Sequence, residues 1–488
     1  MKPFSSVSAL GCVLAGSLAL GACSDDAANP AGPPAGAPSL SESAAAVSSL
    51  VLFHGNAIPA GFAEQVQALG GTVGYSHAGV GFAVVHGLGE DGAAQIRGLS
   101  SVAAVEPDTE FAVSVPHAAE GGMGAEIQAT ALTQIDPTTA ARYSWQWNMR
   151  SIGADKAWAA GKLGSPGVTV AILDTGIDYD AADLNGLVDL SRSRSFVASD
   201  NAITSSLFPS RHEISDYNGH GTNVATQVSS NAVALAGVTA RTTLIGVKVL
   251  GANLRGSLAN VLSGVTYAAD QGANIANMSL GGVQTKVASG PSTALIQRTM
   301  SYAKQKGMLV VVSAGNSVTD MDHDGSFLNV YCGTTHVICV SAVGPSTPTS
   351  SPDESSQYTN FGRSSIDVAA PGGNFVTGFP VANWPWGAGT ASVVWSLCSK
   401  TVLALNASGG VIGLVGCQTG NRLFRQVGTS QAAPHVSGLA ALLMADHGTG
   451  NISQIKHMIL QSSADLGATG TDPYYGRGRI DVAKALGL

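Results

Sequence analysis

Charged residues are scarce in this chain, and no lysine- or arginine-rich block interrupts it. Asp, Glu, Lys and Arg make up 11% of the 488 residues, and the formal net charge is -8. Nucleic-acid-binding proteins present a concentrated basic surface, so this composition argues against nucleic acid as the main partner. Glycine is abundant instead, at 61 residues. We expect a large α/β core and a smaller second domain from this length and composition.

Long apolar runs are missing beyond the N-terminus, so no later segment has the length of a membrane span and we expect the rest of the protein to be soluble. The N-terminus carries Lys2, an apolar run from Val7 to Leu20, and then Gly-Ala followed by Cys23. This pattern is typical of a bacterial lipoprotein signal and predicts a signal peptide at 1–22 with a lipid on Cys23. The alternative is an ordinary secretory signal with a chance cysteine. We expect export to the cell envelope, at the outer membrane in a Gram-negative host, or secretion after maturation. Contact with a membrane is expected only through this lipid.

Cysteines are also few, at six in the whole chain. No Cys-x-x-Cys pair occurs, so a cysteine-based metal site is not favoured. The four cysteines that follow the signal region allow three disulfide pairings in an exported protein. Short sequence separation favours Cys332–Cys339 and Cys398–Cys417.

The order of the predicted elements divides the chain. Residues 23–49 are rich in Ala, Pro, Gly and Ser, which predicts a flexible tether. Residues 50–113 show six short elements in the order β-α-β-β-α-β, the ferredoxin-like α+β pattern. A linker at 114–146 follows, in which cleavage is expected. From 147 to 488, apolar strand patterns alternate with helical ones, which predicts a doubly wound, mostly parallel sheet.

Three separated residues have the chemistry of a nucleophilic site. Asp174 follows a buried strand, His220 is flanked by glycines at the start of a helix, and Ser430 lies in a Gly-Thr-Ser turn before an apolar helix. A serine hydroxyl attacks a carbonyl only when a base takes its proton, and an acid commonly orients that base. Each residue alone has an ordinary interpretation, as a turn cap, a structural histidine or a helix cap. The order Asp, His, Ser is one of the known orders of such triads.

The chain from 147 to 488 resembles the subtilisin-like serine proteases, the subtilases. The resemblance includes all three blocks above, Asn-Met-Ser-Leu-Gly-Gly at 277–282, Ser-Ala-Gly-Asn at 313–316, and Gly-Arg-Gly-Arg-Ile-Asp at 476–481. It implies a serine endopeptidase that forms an acyl-enzyme.

The resemblance also implies a role for individual residues. Ser430 is expected to be the nucleophile, His220 the general base and Asp174 its orienting acid. Asn316 is expected to donate to the oxyanion. Further residues are expected to bind an extended peptide or line its P1 pocket, with room for a sizeable apolar side chain: Ser279, Leu280, Gly281, Ala314 and Gly315. For the Leu280 side chain, a plain core position is an equal alternative.

For residues 50–113 the resemblance implies a propeptide that assists folding and inhibits the enzyme intramolecularly. We expect this zymogen to be a monomer. An independent binding domain is the alternative. Maturation between Val115 and Trp147 would leave the lipid on the propeptide. Two other functions stay open: a catalytically silent surface lipoprotein that binds through this fold, and a processing peptidase of narrow specificity.

Cofactors are not required for this chemistry, but the resemblance makes structural calcium an expectation, with Asp183 and Asn231 as ligands. The acidic residues at 320–325 resemble the start of an EF-hand loop, but Tyr331 stands where a bidentate Glu is needed, so we expect a solvated loop.

Two features depart from the family pattern. Gln431 replaces the usual methionine beside the nucleophile, which predicts tolerance of peroxide. Residues 374–427 form an unusually long connection, for which a specificity lid, a docking surface and an inert insertion are all open interpretations.

Overall fold

The computed structural model describes residues 48–116, 136–281, 283–285, 290–323, 327–329, 331–347, 350–375, 392–406, 409–414 and 423–488. The predicted signal peptide, Cys23 and most of the predicted linker lie outside these ranges. Among the described residues, no helix has both the length and the apolar character needed to span a bilayer.

Residues 48–107 form a small α+β unit. Its elements are β1 (Ser48–Phe53), α1 (Phe62–Ala68), β2 (Thr72–His77), β3 (Phe82–His86), α2 (Glu90–Arg97) and β4 (Val102–Pro107). The strands form one antiparallel sheet in the order β2-β3-β1-β4. The predicted ferredoxin-like order of elements is confirmed, although β1 begins inside the predicted tether.

The alternation of side chains along β1 gives this small sheet two apolar faces. Val51 and Phe53 pack with the helix residues Phe62 and Val66 in the core of the unit. The neighbouring residue Leu52 points the other way and joins the core of the main body. Successive strand residues face opposite sides of a sheet. One face of this sheet is therefore covered by the helices of the unit, and the other face packs on the main body.

The main body contains the remaining elements. Its first half comprises β5 (Glu110–Ala112), α3 (Trp147–Ser151), α4 (Ala154–Ala159), β6 (Thr169–Asp174), β7 (Arg194–Ser195), α5 (Ala198–Leu207), α6 (His220–Val228), β8 (Thr243–Lys248), β9 (Arg255–Ser257), α7 (Leu258–Asp270) and β10 (Ile275–Met278). Its second half comprises β11 (Val283–Thr285), α8 (Gly290–Gln305), β12 (Leu309–Ser313), β13 (Phe327–Asn329), β14 (Val337–Val343), β15 (Val368–Pro371), β16 (Val394–Leu397), β17 (Leu403–Leu405), β18 (Val411–Leu414), β19 (Leu423–Gln426), α9 (Thr429–His447), α10 (Ile452–Ser462) and α11 (Val482–Ala485).

Seven strands of the main body form a single parallel sheet in the order β15-β14-β12-β10-β6-β8-β7. The central strands β6 and β10 are buried at every position. Residues of α6 and α9 belong to the core on one face of the sheet, and residues of α7 and α8 to the core on the other. The predicted doubly wound parallel sheet is therefore confirmed. Strand β15, at its edge, was not predicted.

The described parts of the predicted insertion form two antiparallel strand pairs, β16 with β19 and β17 with β18. The first pair lies against α6, where the Gln227 side chain donates to the Trp395 carbonyl at 2.7 Å. The second pair packs on a small apolar cluster around Tyr217. The insertion is thus built into the body on the side of the sheet that α6 covers.

Candidate active site

Asp174 and His220 meet at the carboxyl edge of the parallel sheet. Asp174 is the last residue of β6, and His220 is the first residue of α6. The His220 Nδ1 lies 2.7 Å from the Asp174 Oδ1, and both side chains are buried. Burial alone would lower the pKa of His220, but the charge and hydrogen bond of Asp174, together with the charge of Asp216, raise it above its ordinary value.

A buried carboxylate that the sequence analysis missed holds the start of α6. Asp216 accepts hydrogen bonds from the backbone N–H groups of Asn218, Gly219 and Thr222, and from the Thr222 hydroxyl. The Gly219 and Thr222 N–H groups are among the four that a helix start leaves without a partner inside the helix. The signal was present in the sequence, as an aspartate four residues before the glycine-flanked histidine.

Ser430 is the second residue of α9 and is almost fully buried. Its carbonyl oxygen accepts a hydrogen bond from the Ser279 hydroxyl at 2.7 Å. This partner is needed because Pro434, four residues on, has no N–H to offer the carbonyl. In return the Ser430 Oγ donates to the Ser279 carbonyl at 3.1 Å.

Among the described residues, no hydrogen bond joins Ser430 to His220. The helices that carry them are nevertheless held together, because the Asn148 amide contacts Gln227 of α6 at 3.1 Å and His435 of α9 at 2.8 Å. Catalytic hydrogen bonds are often long in the resting state and tighten with substrate. The structure therefore pairs Asp174 with His220 and places Ser430 on the neighbouring helix.

The Asn316 side chain has a fixed orientation beside Ser430. Its Oδ1 accepts from both the backbone N–H and the hydroxyl of Thr429, each at 2.9 Å. This leaves the Nδ2 donor pointing into the cleft, where it binds the Ser114 carbonyl at 2.7 Å. A preoriented amide donor of this kind is suited to stabilise an oxyanion. Thr429 was not predicted to have this role.

Asn360 is a second residue that the sequence analysis missed. Its Oδ1 accepts from the backbone N–H groups of Ser317 and Thr319, and its Nδ2 donates to the Ala314 carbonyl. These contacts lie on both sides of Asn316 and fix the loop that carries it. No local motif marked Asn360, because it lies 44 residues downstream of that loop and only folding brings it there.

A cavity of about 300 Å³ lies beside Ser430. Its walls include Gly281, Ala314 and Gly315, three of the residues predicted to bind substrate. Leu280 is fully buried in the core. Ser279 is also buried and contacts Ser430 as described above. Of the five predicted residues, the structure thus brings three to the open space.

The segment after the small unit lies in this cleft. Strand β5 pairs antiparallel with β9, with Phe111 opposite Gly256. The pairing continues beyond the strand, because the Val113 N–H donates to the Leu254 carbonyl at 3.0 Å. The sequence analysis predicted only residues 279–281 as a peptide-binding edge, and missed the edge formed by β9.

The predicted calcium ligands have other partners. The Asp183 carboxylate accepts from the backbone N–H groups of Val233, Ala234 and Leu235. Burial raises the pKa of Asp183 to about 6. The Asn231 amide donates to two carbonyl groups of the same turn.

Calcium requires several oxygen ligands, whereas these contacts turn hydrogen-bond donors toward the Asp183 carboxylate. This arrangement therefore does not fit the ion. No group of three or more His, Cys, Asp or Glu among the described residues is arranged to hold a metal. Calcium binding stays a prediction without support from these contacts.

A disulfide joins Cys332 and Cys339, as predicted, with a Cα–Cα distance of 5.1 Å. Cys398 is also disulfide-bonded. Its predicted partner Cys417 lies outside the described residues.

Comparison with known protein families identifies the family of this chain. A sequence model of the Subtilase family, Peptidase S8, matches residues 165–478. This span contains Asp174, His220, Asn316 and Ser430. The chain belongs to the subtilase family. It is accordingly a serine endopeptidase that acts on peptide substrates.

Two relatives show how far the sequence of this subtilase matches those of other proteases. The thermophilic serine proteinase of Bacillus sp. (strain AK1) is 31% identical over 346 residues, which cover 70% of this chain and 67% of the relative. Thermitase of Thermoactinomyces vulgaris is 29% identical, over 72% of this chain and 99% of the relative.

A solved structure extends the similarity to the fold of nearly the whole chain. The epidermin leader peptide processing serine protease of Staphylococcus aureus matches with a TM-score of 0.69 and 22% identity, over 90% of this chain and 97% of that protein. A lanthipeptide protease matches with a TM-score of 0.53 and 24% identity, over 71% of this chain and 95% of that protein. At these identities the likeness is one of fold.

Proposed function

We propose that this subtilase is an exported zymogen that hydrolyses peptide bonds through Asp174, His220 and Ser430. The observation that carries the proposal is the Asn316 amide. Thr429 holds it beside Ser430, and it donates to a peptide carbonyl that lies in the cleft. Ser430 and this donor line one cleft. We assign the Asp174–His220 pair to them as the acid–base partner, because acyl transfer to a serine requires a donor, a nucleophile and a base.

The proposed reaction begins when the Ser430 Oγ attacks the substrate carbonyl carbon and His220 takes its proton. Asp174 keeps the His220 Nδ1 protonated, so that Nε2 is the basic nitrogen, and stabilises the imidazolium. The negative charge on the carbonyl oxygen is bound by the Asn316 Nδ2 and by the Ser430 backbone N–H. His220 then gives its proton to the leaving amine, and water hydrolyses the acyl-enzyme.

The small N-terminal unit is proposed to be the inhibitor in this zymogen. Arg298 of α8 donates to the Phe53 and Gly55 carbonyls at 3.1 and 3.0 Å. Tyr75 binds the Thr266 hydroxyl of α7 at 2.9 Å. The chain then runs from this docked unit into the cleft, so the same polypeptide fills the site that a substrate would need.

Lipidation of Cys23 and release of the peptidase from its anchor complete the proposal. A cut between the small unit and Trp147 would leave the lipid on the inhibitor. Finding acylated Cys23 and Ser430 on one polypeptide after full maturation would refute release. Metabolic labelling with a fatty-acid analogue, followed by mass spectrometry of each fragment, makes this measurement.

Labelling with a serine-reactive fluorophosphonate probe tests the catalytic proposal. We expect the mature wild type to be labelled and Ser430→Ala to remain unlabelled. Ser205→Ala is the matched control, because the Ser205 hydroxyl only binds the Asn201 carbonyl within α5. Absence of labelling in a folded, matured wild type would favour the alternative of a silent binding lipoprotein.

A processing peptidase of narrow specificity is the second candidate function. It is favoured by the fold similarity to a leader peptide processing protease and to a lanthipeptide protease. The insertion also contacts the residue that holds the start of the His220 helix, since the hydroxyls of Ser399 and Thr401 both donate to the Asp216 carbonyl. Digestion of casein beside a proteome-derived peptide library separates the two candidates. Cleavage of a few related peptides without cleavage of casein would support processing.

A further inference from the structure

We propose that residues 399–403 of the insertion hold His220 in its catalytic position, and that the Ser399 and Thr401 hydroxyls do so by fixing the Asp216 carbonyl. This role rests on the proposed function, in which His220 is the general base. Ser399 and Thr401 are then positioning residues, because they act on His220 through Asp216. The insertion supports the base and is not an inert connection.

The Asp216 side chain connects the acid and the base of the proposed triad. Besides the N–H groups at the start of α6, its Oδ1 accepts from the Thr175 hydroxyl at 2.8 Å. Thr175 directly follows Asp174, and its hydroxyl oxygen accepts from the Gly221 N–H at 2.9 Å. One carboxylate therefore fixes the chain just after the acid and the helix start that carries His220.

The backbone of the Asp216 turn is held from the opposite side by the insertion. The Ser399 Oγ and the Thr401 Oγ1 donate to the Asp216 carbonyl at 2.6 and 2.8 Å. The Leu403 N–H donates to the next carbonyl, that of Tyr217, at 2.9 Å. Asp216, Tyr217, Ser399 and Thr401 are all buried. Since a buried carbonyl without a partner is costly, these three donors resist any movement of the turn.

A second route joins the same segment to the start of α6. The Lys400 N–H donates to the Asp178 Oδ2 at 2.8 Å, and Arg211 neutralises the same carboxylate by binding its Oδ1 at 2.9 Å. The Asp178 N–H donates to the Thr222 hydroxyl at 2.9 Å, and that hydroxyl donates to the Asp216 Oδ2 at 2.6 Å. The insertion is thus bonded to the helix start through both Asp178 and Asp216.

Apolar contacts close the remaining side of the turn. Gly219 directly precedes His220, and a Cβ built on Gly219 would already contact Val402 at 3.4 Å. Tyr217 belongs to the same buried apolar cluster as Leu403. The turn that leads into α6 is therefore packed against the insertion as well as hydrogen-bonded to it.

This support should affect the rate more than substrate binding. A displacement of about 1 Å at a reacting group can cost on the order of 10² in rate. The Asp216 charge also raises the pKa of His220, so a displaced Asp216 should lower that pKa. The cavity beside Ser430 is lined by other parts of the described chain, so residues 399–403 should have little effect on KM.

The double variant Ser399→Ala with Thr401→Val tests the proposal, in the full chain after maturation. Both hydroxyl donors are removed, and valine keeps the shape of threonine. We expect kcat on a fluorogenic peptide to fall about tenfold or more and KM to change less than about twofold, because only the position of the base is altered. The acid limb of the kcat/KM profile should move to lower pH, since the Asp216 charge then acts less strongly on His220.

Single variants separate positioning from a general loss of structure. Thr401→Ser keeps the hydroxyl and should retain the wild-type kcat and pH profile. Ser396→Ala is the matched control, because the Ser396 hydroxyl is also buried in the insertion but donates to the Leu397 carbonyl. If the double variant does not mature, Thr401→Val alone removes one of the two donors and should lower kcat about threefold, with the same direction of pH shift.

Active-site titration with a fluorophosphonate normalises each rate to the amount of competent enzyme. A double variant with wild-type kcat and an unmoved acid limb would overturn the positioning role, and so would an equal loss of kcat in Ser396→Ala. A folded wild type that is neither labelled nor active would instead remove the proposed function itself.

Discussion

At the scale of single residues, the site depends on two kinds of hydrogen bond. One replaces a missing backbone hydrogen bond, and the other orients a side-chain amide. Pro434 deprives the Ser430 carbonyl of its helical partner, and the Ser279 hydroxyl takes that place. Thr429 gives both of its donors to the Asn316 oxygen, so the amide nitrogen faces the cleft. The Ser279–Ser430 contact is buried and the two Thr429–Asn316 contacts are partly buried, and an unmade hydrogen bond is costly in such places. They keep the Ser430 and Asn316 groups that we propose to be catalytic in place before substrate arrives.

Replacement of Asn316 by alanine should lower kcat by roughly 10²–10³ and change KM little, because the donor acts mainly on the transition state. The figure comes from an oxyanion donor in a related enzyme. Steady-state kinetics on a fluorogenic peptide provides the measurement, and circular dichroism checks the fold. A folded Asn316→Ala enzyme with unchanged kcat would contradict the proposed role.

Gln431 should make the enzyme tolerant of peroxide. Its side-chain amide is buried and donates to the Gln426 oxygen at 2.7 Å, where an oxidisable thioether is common in the family. We expect Gln431→Met to lose activity in hydrogen peroxide several times faster than wild type. Gln431→Leu is the control, because it removes the amide without adding sulfur. Equal inactivation rates for the methionine and leucine variants would show that residue 431 does not control sensitivity.

At the scale of elements, α9 both carries Ser430, the proposed nucleophile, and packs within the core. It is buried from Thr429 to Met444. His435 lies inside it, where Nδ1 donates to the Gln431 carbonyl and Nε2 accepts from Asn148, each at 2.8 Å. Burial lowers the pKa of His435 from 6.5 to about 4. The histidine therefore stays neutral in the folded protein at pH values where the unfolded chain is protonated.

This pKa shift predicts a loss of stability in acid. Above pH 6.5 neither state binds the proton, and the full stability is present. As the pH falls from 6.5 toward 4, the unfolded chain gains the proton first, so the free energy of unfolding should fall by about 3 kcal/mol from His435 alone. His435→Gln should show a weaker pH dependence than wild type in urea unfolding. His447→Gln is the control, since this histidine is 41% exposed at the end of the same helix. A slope in His435→Gln equal to that of wild type would contradict the assignment.

At the scale of the whole molecule, the small unit and the peptidase share one apolar core. Leu50 and Leu52 of β1 lie in the same cluster as residues of α7 and α8. The polar contacts of Arg298 and Tyr75 surround this apolar contact. Docking of the unit therefore fixes the course of the chain that enters the cleft.

Replacement of Arg298 by alanine should shorten the inactive phase that follows self-processing by roughly tenfold, because two charge-assisted hydrogen bonds to the inhibitor are lost. The matched control is Arg150→Ala, since Arg150 donates only to the Tyr143 and Ser144 carbonyls of the peptidase itself. The measurement is the time course of peptide cleavage after maturation. If both variants keep the wild-type lag, the Arg298 contacts do not hold the inhibitor.

The sequence by itself determined the parallel sheet, the ferredoxin-like unit and the acid–histidine–serine order, because hydrophobic periodicity and glycine-flanked motifs are local properties. It did not reveal Asn360 or Asp216 as supports, or β9 as a peptide-binding edge. Those roles arise from contacts between residues far apart in the chain, which only packing brings together. Tertiary structure also determined the hydrogen-bond partners of Asp183, whose oxygens accept from backbone N–H groups of a distant turn. It alone placed the Ser114 carbonyl on Asn316, since a bond across 202 residues leaves no local pattern.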